Sequence, residues 1–525
     1  MDSALEKNLI QRIAVGDIFR KRARNTPDRV AIVEHRGKER LAITFRELNQ
    51  ELNRFAHATR TLGLRRGQKV AILGLNSTEY LIALYGTAKA GLTAVPINPG
   101  MAAADIAYVL NHSEADCIVL DSILVPVMEA IKETLETVKQ MIVIKAGEET
   151  VSKPYLEFGA FMAKGLPDEN EAEIINDRDI FEILYTSGTT GRPKGVLVSH
   201  LSVYISSLSS AIEFNMGSCA TTTMVLPIFH CAQQVLTYAT LNTGGTVTVV
   251  RQFDPGLFLK TIEAEKVNLT FCLPMMYRML LDHPEIRTRN LENLHTCVYA
   301  MTPMDQPTLE ACIEIFKADF IHGTGQTECF PPTNVFRASD RLDKQGNYWG
   351  DSNLALDTAV MDEAGRLLPP NQVGEIVWRG PLVMESYYKD GAATAKSRKF
   401  GWHHSGDLGM IDDHGLLLFV DRKKDMIKSG GENIASIKVE RVILADHRVQ
   451  QVAVVGTPHP HWVEQVTAFV VTTPNSDLSE EALIQVCKKD LGRFEVPKKI
   501  VFVDELPMTS TGKIKKNLLR QMATD

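Results

Sequence analysis

The sequence predicts an α/β protein, with mostly parallel, helix-covered sheets in a large N-terminal domain and a small α+β domain at the C-terminus. Three observations carry this. Strand-like apolar runs alternate with helical patterns over most of the length. At 525 residues the chain exceeds what one core usually supports, so two or more domains are expected. At 421–425 a strand-like run gives way to the charged pentapeptide Asp-Arg-Lys-Lys-Asp, which sets the expected boundary between domains 1–423 and 424–525.

In order, strands are expected at 70–74, 92–97, 117–120, 141–144, 222–226 and 246–250, where apolar residues run together. Amphipathic patterns over 44–62 and 79–90 predict helices between them. Residues 145–180 differ: Glu148, Glu149, Asp168, Glu169, Glu171, Glu173, Asp177 and Asp179 stand among few apolar side chains, and the stretch reads as a solvated connection. An apolar run at 180–185 then predicts a strand. Past the boundary, 452–456 and 468–472 read as strands and 480–491 as a helix.

Composition excludes several classes. A net charge of −7 without a basic block argues against non-specific nucleic-acid binding. Charges in the first residues leave no room for a secretory signal, and the last four, Met-Ala-Thr-Asp, match no peroxisomal or prenylation signal. The absence of an 18-residue uncharged apolar span predicts no transmembrane helix. Eight scattered cysteines without a C-x-x-C pair fit a reduced, cytoplasmic setting.

The most informative stretch is 185–195, Tyr-Thr-Ser-Gly-Thr-Thr-Gly-Arg-Pro-Lys-Gly. Glycines let backbone N–H groups turn toward an anion, hydroxyls add rotatable donors, and lysine neutralises charge. A polyphosphate suits that combination. The Walker pattern fails on spacing, because Arg192 and Pro193 separate Gly191 from Lys194 and Gly195 follows the lysine.

Six further motifs follow: Leu226-Pro227-Ile228-Phe229-His230, Gly325-Gln326-Thr327-Glu328, Gly374 to Gly380, Trp402 to Asp407, Asp421 to Asn433, and Pro507 to Ile514. In this order they resemble the adenylate-forming superfamily of acyl-CoA synthetases, stand-alone adenylation domains and beetle luciferases, and in particular its acyl-CoA synthetase branch. The resemblance covers nearly the whole chain. It implies a smaller β-barrel-like subdomain within the N-terminal domain, and a C-terminal domain that swings between two half-reactions about a hinge at Lys424.

The resemblance also implies roles. Thr186, Ser187, Gly188, Thr189, Thr190 and Lys194 would hold ATP phosphates; Thr302, Gly323, Thr324, Gly325, Gln326 and Thr327 would line the nucleotide. Glu328 would ligate Mg²⁺, a hard cation that needs oxygen ligands. Asp407 would accept the ribose hydroxyls, although an aspartate in that tight turn could simply make an Asx-turn. Arg422 would lie on the ribose or phosphate side. Lys513 would bridge carboxylate and α-phosphate, two anions that must meet. His230 would act at the gate to an acyl pocket formed with Phe229, Gln233, Met301 and Cys329, and Gly431 would line the tunnel for the CoA thiol. Two departures stand out. Thr324 takes the place of an aromatic that stacks on adenine, and Met301 falls in a segment usually rich in Gly and Ala.

The implied activity is an AMP-forming acyl-CoA synthetase using ATP, Mg²⁺ and coenzyme A on a small-molecule carboxylic acid. Neutral residues at the gate favour an acid with an uncharged tail over a dicarboxylate, a fatty acid first, with aryl (benzoate or 4-coumarate type) and carnitine-type acids open. A peptide-synthetase adenylation domain would place an aspartate after His230, where Cys231, Ala232, Gln233 and Gln234 stand. A luciferase-like oxygenase shares the motifs and separates only by product. A non-catalytic nucleotide-binding module is disfavoured by Lys513, which binding alone does not require. Peripheral membrane contact and a homodimer stay open.

Overall fold

The computed structural model describes residues 3–145, 147, 150–169, 173–186, 192–344, 346–474, 476–508 and 514–523. Apolar runs become strands buried on both faces, as parallel sheets require. Lys69–Leu73 is buried from its second residue and Thr93–Ile97 throughout. With Ala115–Asp121, Gln140–Ile144, Leu156–Glu157 and Ile180–Thr186 they form the parallel part of the first sheet. Its edge turns antiparallel: Lys194–Ser199 pairs with Ile180–Thr186, and the two-residue strand Ser386–Tyr387 pairs with Lys194–Ser199.

The second sheet has a parallel half, running from Thr246–Val249 through Thr221–Met224, Leu269–Cys272 and Thr296–Tyr299 to Asp319–Gln326. From Cys329–Arg337 onward it continues antiparallel through Asn347–Ser352, Leu417–Arg422, Trp402–Ile411 and Gly374–Arg379. Helices Thr78–Lys89, His200–Glu213 and Cys231–Thr243 lie between the two sheets. One core cluster contains Val70 and Phe181 of the first sheet, Ile32 and Val247 of the second, and Tyr85, Val203 and Tyr238 of these helices. Side-chain caps start them: Ser77 accepts from Tyr80 N–H, Ser199 from Ser202 N–H, and His230 from Ala232 N–H.

Most expected elements are present with ends shifted by a few residues. The reading of 145–180 needs correcting. Within it, helix Phe158–Met162 buries Phe158, Phe161 and Met162, and the Phe161 ring meets Phe55 edge-on at 5.4 Å. The acidic flanks conceal a packed turn of helix.

At the C-terminus, Glu432–Ile434, Ile427–Ser429, Val463–Thr472, Val449–His459 and Lys499–Phe502 form a third sheet. Helices Ser436–Leu444 and Glu480–Asp490 close a separate core over it, with Val439, Ile443 and Leu483 fully buried. No helix among the described residues is long and apolar enough to cross a membrane.

Candidate active site

The phosphate-loop motif is the connection of a hairpin. Thr186 pairs with Lys194 and Tyr185 with Gly195, so the strand ends are fixed by ladder hydrogen bonds. Ser187, Gly188, Thr189 and Thr190 lie outside the described residues. The two cations rest on aromatic faces: Lys194 Nζ is 4.9 Å from the Tyr387 ring centre, and the Arg192 guanidinium is 5.0 Å from that of Tyr108.

Glu328 projects from a second hairpin. Asp319–Gln326 and Cys329–Arg337 close on the pair Gln326–Cys329, which leaves Thr327 and Glu328 as a two-residue turn. Close packing sets this hairpin, since a Cβ on Gly325 would come within 2.7 Å of Pro331 Cβ. Gly323 lies in the same strand, paired with Val335. The Tyr387 hydroxyl donates to Glu328 Oε1 at 2.9 Å. Burial, then the Glu328 charge, pushes the Tyr387 phenol well above its usual range, so it stays a donor. Among the described residues no group of three or more His, Cys, Asp or Glu side chains could cage a metal. A single carboxylate linked to the hairpin expected to hold phosphate would instead fit magnesium that arrives on a nucleotide, which needs only one or two carboxylates besides phosphate oxygens.

Asp407 lies within the strand Trp402–Ile411, not in the expected tight turn, and is 8% exposed. It pairs with Arg422 on the adjacent strand, whose Nε is 4.0 Å from Asp407 Oδ1. Gln326, expected to line the nucleotide, spends its amide on this carboxylate. It donates to Asp407 Oδ2 at 2.8 Å and to Ser405 O at 2.9 Å. The Glu328 hairpin is thereby tied to the aspartate.

Two expected acyl-pocket residues are committed elsewhere. Gln233 is fully buried: its Oε1 accepts from Val225 and Leu226 N–H, and its Nε2 donates to Thr223 O and Thr237 Oγ1. No polar group is left for a substrate. Cys329 is fully buried in a cluster with Trp378 and Leu382, and burial pushes its thiol far up. Phe229 and His230 remain half-buried. His230 Nδ1 accepts from Ala232 N–H at 3.1 Å, so in the neutral ring the proton sits on Nε2. Thr302 and Met301 are exposed, and Met301 adopts φ +73°. Thr324 is 8% exposed, and its hydroxyl donates to Asn334 O at 3.3 Å. It offers no aromatic surface.

Around the expected hinge, burial and then Arg422 lower the Lys424 ammonium pKa. Its carbonyl accepts from Arg520, which also pairs with Asp425 at 2.8 Å. Gly431, at φ +89°, follows Gly430, at φ +59°, in the turn between Ile427–Ser429 and Glu432–Ile434. A two-residue hairpin with both residues left-handed demands such glycines for its own sake. Lys513 lies outside the described residues.

The sequence reading missed Tyr387. Its position depends on a strand pairing with residues almost two hundred positions earlier, which no local periodicity encodes.

Comparison with known proteins agrees with this geometry. The AMP-binding enzyme family matches residues 19–388, and the AMP-binding enzyme C-terminal domain matches 438–513. The chain is 32% identical to a feruloyl-CoA synthase from Amycolatopsis sp, over 95% of this chain and 97% of that one. It is also 32% identical to the long-chain-fatty-acid–CoA ligase FadD13 of Mycobacterium tuberculosis, over 97% and 98%. Among solved structures, a Mycobacterium tuberculosis fatty acyl CoA synthetase superposes with a TM-score of 0.78 at 30% identity, covering 97% of this chain and 99% of that one. The chain belongs to the AMP-binding enzyme family, in its AMP-forming acyl-CoA synthetase branch.

Proposed function

We propose that this synthetase activates a carboxylic acid with an uncharged tail, a fatty acid first, as acyl-AMP and passes the acyl group to coenzyme A. One observation carries the reading: the phosphate hairpin, the Glu328 hairpin and the Asp407–Arg422 strand pair are joined through Tyr387 and Gln326. Lysine, carboxylate and ribose acceptor thus form one surface.

In the first half-reaction a carboxylate oxygen attacks the α-phosphorus, and the bond to the β-phosphate oxygen breaks, releasing pyrophosphate. The hairpin from Thr186 to Lys194 grips the departing phosphates, and Glu328 holds the metal side. Magnesium, when bound, neutralises phosphate charge as the leaving group departs. Asp407 takes the ribose hydroxyls with Arg422 beside it. Lys513 draws carboxylate and α-phosphate together. In the second half-reaction the C-terminal domain 424–525 turns about Lys424, and CoA thiolate attacks the acyl carbonyl past Gly431 to expel AMP. A mixed anhydride supplies a good leaving group for each step.

Phe229, His230 and Met301 remain as acyl-pocket residues, and none of them is an acid, a lysine or an arginine. This and the fatty-acid ligase relative favour an aliphatic acid. The feruloyl-CoA synthase relative favours an aryl acid as the second reading. Pyrophosphate release measured over aliphatic acids of increasing length, benzoates and cinnamates tests both. Release that rises with chain length and exceeds that for aryl acids is expected. Preference for cinnamates transfers the assignment to the second reading, and ATP binding without release from any acid overturns both.

A further inference from the structure

The segment 382–388 is stitched to both charge-handling hairpins. On one side Met384 N–H donates to Glu328 O at 2.9 Å, and Phe330 N–H donates to Leu382 O at 2.9 Å. On the other, Glu385 N–H donates to Leu197 O at 2.9 Å, and Tyr388 N–H donates to Gly195 O at 2.7 Å. Tyr387 sits between these attachments, paired with Val196. Its own N–H donates to Thr394 Oγ1 at 3.0 Å, so the backbone at this residue is fixed. One end of the side chain meets Glu328 Oε1 at 2.9 Å, and its ring carries Lys194 Nζ at 4.9 Å.

We infer that Tyr387 is a positioning residue for the nucleotide's charge, its hydroxyl orienting Glu328 toward the metal while its ring face holds Lys194 at the phosphates. The inference rests on the metal role of Glu328. A hydrogen bond to one carboxylate oxygen leaves the other free and removes rotational freedom that metal binding would otherwise have to freeze. A lysine held over a ring keeps its charge unneutralised, whereas a carboxylate partner would compete with phosphate. The tyrosine therefore sets the spacing between the cation and the carboxylate without touching substrate.

Binding of Mn²⁺·ATP, followed by water-proton relaxation, is compared in wild type, Tyr387→Phe, Tyr387→Leu and Glu328→Gln. Tyr387→Phe should weaken binding about tenfold, the usual scale for losing the partner of a metal ligand. It should raise the Mg²⁺ needed for half-maximal pyrophosphate release by a similar factor, with the KM for the acid and the Tm unchanged. Tyr387→Leu also removes the ring under Lys194 and should raise the KM for ATP further. If Tyr387→Phe binds like wild type while Glu328→Gln does not, the inference falls and the metal reading stands. If Glu328→Gln also binds like wild type, both fall. A drop in Tm with equal loss in every parameter marks Tyr387 as merely structural and overturns the inference.

Discussion

Met301 shows most clearly what a single residue adds to this site. It holds φ +73° with a side chain that disfavours that conformation, at the edge of the proposed acyl pocket. Left-handed backbone costs a non-glycine residue about 1 kcal/mol or more, and such strain concentrates at functional positions. Met301→Gly should therefore leave thermal stability unchanged or raise it by up to about 1 kcal/mol, while Met301→Val lowers it because branching worsens the clash. The glycine variant should also change the KM for ATP or the preferred acyl length, read from the acid panel. A lower Tm for Met301→Gly would contradict the strain reading. At this scale the motifs named Glu328, Asp407 and Arg422, and the fold sets Arg422 beside Asp407 and ties the Glu328 hairpin to that carboxylate through Gln326. The sequence misled for Gln233 and Cys329, because proximity in sequence to His230 and Glu328 does not reveal which way a side chain points.

Among the elements, the strand Ile180–Thr186 links the phosphate hairpin to the helices between the sheets. Its Glu182 is fully buried, and neither carboxylate oxygen has a hydrogen-bond partner among the described residues. The hydroxyls of Tyr80 and Tyr85 on helix Thr78–Lys89, and of Tyr238 on helix Cys231–Thr243, are buried and unpartnered likewise. Burial pushes the Glu182 carboxyl up to about 8, while the Gln234 amide pulls it the other way without meeting it in a hydrogen bond. The folded state thus keeps a proton that the unfolded chain releases near 4.5. Glu182 contributes fully to stability below that value, and its contribution is lost as pH rises through about 8. Glu182→Gln should remove this dependence, so the Tm of the variant minus that of wild type grows from pH 5 to pH 8. A constant difference across that range would show that Glu182 does not titrate with a raised pKa in the folded state. Strand positions were legible because buried parallel strands read as apolar runs. The helix Phe158–Met162 was not, since its two aromatics sit among acidic residues that mask so short a pattern. The Ser386–Tyr387 strand was also hidden, because two residues carry no periodicity.

For the whole molecule, the question is how the C-terminal unit is held. The buried Asp421 carboxylate accepts the N–H of Ser436 at the start of helix Ser436–Leu444. Ser436 Oγ accepts from Lys516 Nζ at 2.7 Å, and Lys516 pairs with Glu440 at 2.7 Å. These contacts flank Lys424, and Ile437 of the same helix packs against the cluster that holds Leu417 and Phe419, so a turn there would exchange a small junction of mixed polar and apolar contacts while the separate C-terminal core stays whole, as hinge motion requires. The order of the motifs made the two-part architecture legible, and the charged run at 421–425 is where we propose the junction. The partners across it were not legible, because Asp421, Ser436 and Lys516 meet only when the strand end, helix start and C-terminal helix are folded together. In the proposed reaction one lysine serves only the first of two half-reactions. Lys513→Ala tests it directly, by assaying acyl-AMP formation from acid and ATP beside thioester formation from supplied acyl-AMP and CoA. The first should be lost while the second stays near wild type; equal loss of both would rule out a lysine confined to adenylation.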